Sequence, residues 1–217
     1  MVPVMGNLVL SHSWPAPLIS TVTARYEEPH RHYHTVLHLE ACLRAVHVLT
    51  QMPPREVELA LLFHDAVYDP SAANNEQASV ELLFEEGRRA WLDDALLQRT
   101  APLILATKHL GDEMPEEAGW VVDADLSILG TEDQEKFELY EQQVRREYAF
   151  VDDHVFAAGR ANFVRGMLER DTIFATRRGR LLWEKNARRN LRRSALLLPK
   201  PLPCGSLPRH GKPHRYV

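Results

Sequence analysis

A histidine and an aspartate stand side by side at positions 64 and 65, closing the apolar run Leu59-Ala-Leu-Leu-Phe63. Taking such side chains out of water costs free energy unless a partner offsets the lost hydration. A divalent cation does this for both at once. Three further candidates sit elsewhere in the chain: His38, 26 residues before His64, and Asp123 and Asp125, the latter 60 residues beyond Asp65. Separations of this size call for ligands delivered from three different helices, the way a helical bundle builds a metal site from inward-facing side chains. Two imidazoles and two carboxylates suit Mn²⁺, Fe²⁺, Co²⁺ or Mg²⁺ better than they suit a thiolate-type structural zinc. Four protein ligands on an octahedral ion leave positions open for water and a substrate oxygen. The ion would acidify that water and neutralise charge on a phosphoryl group.

The elements that must position these residues are helices. Val36, Leu37, Leu39, Cys42, Leu43, Val46 and Leu49 recur at three- and four-residue spacing, which predicts a helix over about 35–50. Pro53-Pro54 opens the next one, with Leu59, Leu62, Phe63 and Val67 as its apolar side and an end near Tyr68-Asp69-Pro70. Asn75 can cap a helix to about Arg89, weakened near its end by Gly87, and Asp93 another to about His109, kinked at Pro102. Trp120 to Leu129 is a short apolar stretch ended by Gly130. Thr131 and Gln134 form a capping box for 132–150; further helices follow to about Arg170 and over Arg177 to Leu197. No stretch alternates with period two. The expected fold is therefore all-α, a single-domain helical bundle over 21–198. It is preceded by an irregular lead-in (1–20) carrying at most a short helix, and followed by a Pro-rich basic tail (199–217) without regular structure.

Composition sets the outer limits. The 217 residues are 45% hydrophobic, enough for a proper core, and no apolar run is long enough to span a membrane. The first ten residues lack the positive charge of a signal peptide, and the two cysteines, Cys42 and Cys204, sit in unlike contexts; both point to a reducing, cytoplasmic setting. Net charge is −4, yet from Lys185 onward there are nine Lys or Arg and no Asp or Glu. Such a tail can touch phosphates, but it lacks the aromatic interleaving of nucleic-acid-binding modules, so nucleic acid is not the expected partner.

The ordered set of motifs resembles the HD superfamily of metal-dependent phosphohydrolases, and within it a bacterial branch of predicted phosphohydrolases of about this length. The resemblance is carried by Pro29-His-Arg-His-Tyr-His-Thr35 with His38, Phe63-His-Asp-Ala-Val-Tyr-Asp69, Asn75-Glu76 and Asp123-Ala-Asp-Leu-Ser-Ile-Leu-Gly130. Val144-Arg-Arg-Glu-Tyr148, Phe156 with Gly159-Arg160, and Glu184 with Ala187-Arg188 and Asn190-Leu191 extend it over roughly residues 25–191. It implies an HD-type helical domain holding one divalent ion (Mn, Fe, Co, Mg, Ni or Zn) through His38, His64, Asp65 and Asp125. Asp125 is favoured over Asp123 because the family's ligand is the Asp of an Ala-Asp pair; Asp123 could instead orient a ligand histidine. The implied reaction is hydrolysis of a phosphoester or pyrophosphate bond in a small phosphorylated molecule, commonly a nucleotide. A non-catalytic nucleotide-sensing module and a guanosine alarmone hydrolase are the alternatives.

Other residues have both a functional and a plainer reading. His34, four before His38, and Arg31, whose planar fork suits a phosphate, are candidate substrate-binding groups, as are Lys108 and Arg145. Beside Asp65, Glu76 is the candidate general acid or base, against a simple helix-start charge, and the resemblance implies a catalytic or phosphate role for His109, against a helix-end histidine. Trp91, Trp120 and Trp183 read as core or partial core, Cys42 as buried packing, and Asp69 as the cap of a turn. A homodimer is compatible with all of this.

Overall fold

The computed structural model describes residues 8–108 and 114–198. These form an all-α domain of nine α-helices and one 3-10 turn, with no strand among the described residues. In chain order the helices are α1 (Ala16–Arg25), α2 (Val36–Leu49), α3 (Arg55–Phe63), α4 (Asn75–Arg89) and α5 (Asp94–Ala106). There follow α6 (Glu116–Asp125), the 3-10 turn Leu126–Gly130, α7 (Gln134–Glu147), α8 (Asp153–Glu169) and α9 (Arg177–Leu197).

Helix α3 is the buried axis of the domain. Every residue from Val57 to Phe63 is fully enclosed, and α2, α4, α5 and α6 pack around it. A helix apolar on all sides is stable only when surrounded in this way. It stops at Phe63, five residues short of the Tyr68 expected from sequence. His64 is its C-cap and Asp65 already lies in the turn that follows. The amide of Ala66 donates to the Phe63 carbonyl at 3.0 Å, so the chain folds back as soon as the histidine has been presented.

Helix α1 corrects the expected boundary at residue 20, which falls inside it. Trp14, Leu18, Ile19, Val22 and Tyr26 are all core residues, and the buried Glu58 carboxylate of α3 accepts from Ser11 N, His12 N and Trp14 Nε1 at 2.5, 3.2 and 2.6 Å. The prolines at 15 and 17 hid this helix in the sequence because proline is tolerated at the cap and in the first turn. At the other end of the domain, Gly130 permits a close approach. A Cβ there would overlap the Trp183 side chain and lie 2.9 Å from its Cα, so α9 packs directly on the 3-10 turn.

Trp91 is not in the core. It is 93% exposed and takes a left-handed conformation (φ 57) just past α4, where Leu92 N donates to Gly87 O at 2.9 Å to close the helix end. Asp69 does cap a turn, its Oδ1 accepting from Ser71 N at 2.8 Å and from the Ser71 hydroxyl at 2.7 Å. No described helix is long and apolar enough to cross a membrane. The tail 199–217 lies outside the described residues.

Candidate metal centre

Three helices deliver the candidate ligand side chains. His38 projects from the first turn of α2, His64 caps α3 with Asp65 beside it, and Asp125 is the last residue of α6. All four are buried. The two imidazole Nε2 atoms lie 3.1 Å apart. Asp65 Oδ2 is 3.5 Å from His38 Nε2 and 3.2 Å from His64 Nε2; Asp125 Oδ1 is 3.3 and 3.7 Å from the same two atoms. With metal–ligand bonds of about 2.1 Å, neighbouring ligand atoms of an octahedron or tetrahedron stand roughly 3.0–3.4 Å apart. The edges among His38, His64 and Asp125 are near that size, and these three residues with Cys42 could hold a metal ion; Asp65 Oδ2 lies beside them.

Electrostatics point the same way. Two carboxylates buried beside two imidazoles need positive charge among them. Burial alone would favour neutral His64, but the Asp65 carboxylate outweighs it and holds the imidazole well above its ordinary pKa. The ring of His64 is also oriented: its Nδ1–H donates to the Leu61 carbonyl at 2.7 Å, which leaves Nε2 as the nitrogen that faces the cluster.

A second layer holds this arrangement, and part of it was expected to do other work. Arg31 was a candidate phosphate ligand. Its side chain is fully enclosed, and its five N–H groups are all spent within the protein. Nη1 donates to the carbonyls of Asp65 (2.7 Å) and His34 (3.1 Å), Nη2 to Ala66 O and Glu28, and Nε to Glu28, each at 3.1 Å. Arg31 therefore clamps the turn carrying His64 and Asp65 and has no donor left for a substrate. Arg145 is likewise engaged elsewhere. It donates to Tyr148 O at 2.6 Å, Val151 O at 3.0 Å and Asp153 Oδ1 at 2.6 Å, and its guanidinium lies over the Phe156 ring, tying α7 to α8.

His34 does point at the centre, with Nε2 4.0 Å from Asp65 Oδ2. What aims it is Glu147, at the end of α7, to which no role was assigned from sequence. Glu147 Oε1 accepts the consecutive amides of His32, Tyr33 and His34 at 2.8, 2.7 and 2.9 Å. Its Oε2 accepts His34 Nδ1–H at 2.7 Å and the Tyr68 hydroxyl at 2.9 Å, while the His34 ring stacks on Tyr68. Burial would raise the Glu147 pKa, but His34 and these donors bring it down to about 2. The Glu in Val144-Arg-Arg-Glu-Tyr148 was the available signal; nothing local to that motif reveals a partner more than a hundred residues away.

Asp123 is not a ligand and holds no ligand histidine. It faces the start of α9, accepting from Ala175 N, Thr176 N and Thr176 Oγ1 at 2.7, 2.9 and 2.6 Å. Asp123→Asn is expected to leave metal content unchanged and to cost about 1–3 kcal/mol of stability, since one oxygen must become a donor facing donors. Metal analysis beside a denaturant melt checks both. Glu76, in the first turn of α4, pairs with Lys108 at 3.7 Å, so these two candidates are brought to each other. His109 lies outside the described residues. Cys42, expected as packing, lies against the centre, its Sγ 3.5 Å from His38 Nε2; it stands one helical turn after His38, a spacing that could have flagged it. His38 and Tyr33 also line a cavity of about 620 Å³ between α2, the 3-10 turn, α7 and α9, which Lys136, Tyr140 and Trp183 line as well.

The fold and site together define an all-helical domain with a buried His/Asp/Cys cluster that could hold a metal ion. Comparison with protein-family models, with curated proteins and with solved structures found no match.

Proposed function

We propose that this protein is a metal-dependent phosphohydrolase of the HD type, cleaving a phosphoester or pyrophosphate bond in a small phosphorylated molecule, with nucleotides as the first class to try. The observation that carries the reading is the convergence of His38, His64, Asp65 and Asp125 from three helices with ligand-atom separations of 3.1–3.7 Å. A divalent cation bound there supplies Lewis acidity toward water and a phosphoryl oxygen.

The chain's own residues do the rest. Arg31 fixes the consecutive carbonyls of Asp65 and Ala66 in the ligand turn, and Glu147 fixes the His34 ring with its Nε2 toward the centre. His34 is thus the side chain best set to hydrogen-bond a substrate phosphoryl oxygen. Lys108, partly exposed and paired with Glu76 just past α5, is the candidate cation for a substrate phosphate. Catalysis of phosphoryl transfer is chiefly positioning and charge stabilisation, which is what a rigid, pre-aimed constellation provides.

The test is a phosphatase screen over nucleotides and simple phosphoesters with Mn²⁺, Co²⁺, Mg²⁺ and Ni²⁺, run beside Asp65→Ala. Turnover and bound metal should disappear together in the variant while its helical spectrum is retained. Full activity in a metal-free Asp65→Ala protein would end the proposal.

A further inference from the structure

We infer that Cys42 is a direct ligand of the metal centre, making it a sulfur-bearing site that prefers Zn²⁺, Co²⁺ or Fe²⁺ to Mg²⁺ or Mn²⁺. The inference rests on the metal-centre reading above and extends it to a residue outside the His/Asp set. Cys42 follows His38 by four residues on α2, so the two side chains leave the same face of the helix. Its side chain is buried, at 1% exposure, and its Sγ lies 3.5 Å from His38 Nε2. One ligand atom each from His38, Cys42, His64 and Asp125 lies within 4.8 Å of every other.

The Cys42–His38 separation has the size expected of two ligands on one ion. Bonds of about 2.3 Å to sulfur and about 2.05 Å to nitrogen, at a tetrahedral angle, put the two atoms roughly 3.6 Å apart. Cys42 Sγ and His38 Nε2 are 3.5 Å apart. The Nε2–Nε2 edge of 3.1 Å and the His38–Asp125 edge of 3.3 Å belong to a polyhedron of the same size. Once His38 Nε2 directs its lone pair at a cation, it cannot also accept from the thiol. A thiol packed there is then left facing a positive ion, the condition under which it coordinates. Formation of the sulfur–metal bond breaks the S–H bond, and the proton passes to bulk water. Soft thiolate ligands select against hard, oxygen-seeking ions.

The test uses the full chain carrying Cys204→Ser, so that Cys42 is the remaining cysteine of the two in the sequence. Loaded with Co²⁺, this protein is expected to develop an intense near-ultraviolet thiolate-to-cobalt charge-transfer band. Adding Cys42→Ser or Cys42→Ala should abolish the band and lower Zn²⁺ affinity about 10–100-fold. Mn²⁺ affinity should stay within about twofold. Stoichiometric Co²⁺ binding without the band in the Cys204→Ser protein overturns the role of Cys42 and leaves the metal centre standing. Failure of Co²⁺ and Zn²⁺ to bind the folded wild-type chain overturns both. Because the band is read in a protein that keeps Cys42, the outcome does not depend on whether the Cys42 variants fold.

Discussion

Asp125→Asn is expected to lower divalent-metal affinity by about 100-fold or more, with the metal-free protein no less stable than wild type. The substitution keeps the size of the side chain and removes one negative charge from a cluster whose other members, His38, His64 and Asp65, are all buried within 3.7 Å. Structural sites built from four ligands bind with roughly 10–16 kcal/mol in total, so losing one costs about 3 kcal/mol, or 100-fold. Without metal, the His38 imidazole that faces Asp125 at 3.3 Å can give up its proton when this carboxylate is neutralised, so the charge balance of the cluster is kept. Metal uptake by the wild-type protein should also release protons, because a cation needs the imidazole Nε2 atoms deprotonated while Asp65 favours the protonated form of His64. Affinity therefore rises with pH. Calorimetry in two buffers of different ionisation enthalpy measures the protons. Unchanged affinity in Asp125→Asn would remove Asp125 from the ligand set. Comparison with Asp123→Asn, two residues away, controls for disturbance of α6.

Glu147→Ala should destabilise the fold by about 3 kcal/mol at neutral pH, lowering the melting temperature by roughly 6–12 °C for a chain of this size. The carboxylate is enclosed and receives three amides, an imidazole N–H and a tyrosyl hydroxyl. Its pKa falls from 4.5 to about 2 because His34 and these donors outweigh the burial that would raise it. A depressed carboxylate contributes stability above its unfolded-state pKa and loses it as pH falls toward the folded value. Wild type should therefore lose this increment between about pH 4.5 and pH 2, and the variant should not. Thermal melts over that range decide it. A difference at pH 7 below about 1 kcal/mol would mean that water replaces the carboxylate without cost. Glu147→Gln is informative in a second way. Its amide can donate to His34 Nδ1, which reverses the ring's tautomer while filling the same space. If His34 acts on substrate, kcat falls more in this variant than the modest stability change accounts for.

Much of the scaffold was readable before any coordinates. The apolar spacing in 36–49, 75–89, 134–147 and 177–197 follows the 3.6-residue period closely, and helices stand there within a few residues of expectation. Helix α1 was obscured because Pro15 and Pro17 look like breakers but occupy its cap and first turn. The end of α3 was placed too late because Val67 and Tyr68 continue the apolar pattern while belonging to the turn. Both errors concern where a periodic stretch stops, which depends on what the chain does next.

The sequence by itself determined that the protein is helical, that an apolar run delivers a His-Asp pair inward, and that His38 and an Asp of the 123–125 stretch were available to meet it. Only the tertiary structure chose between the two aspartates. Two residues apart on a helix, their side chains point about 200° apart, so α6 turns Asp125 toward α2 and α3 and Asp123 toward the start of α9. Packing likewise turned Arg31 inward, coupled Glu147 to His34 across 113 residues, and laid Cys42 against the centre. Periodicity records which face of a helix is buried. It carries no information about which distant helix that face will meet, and the chemistry of this centre lies in those meetings.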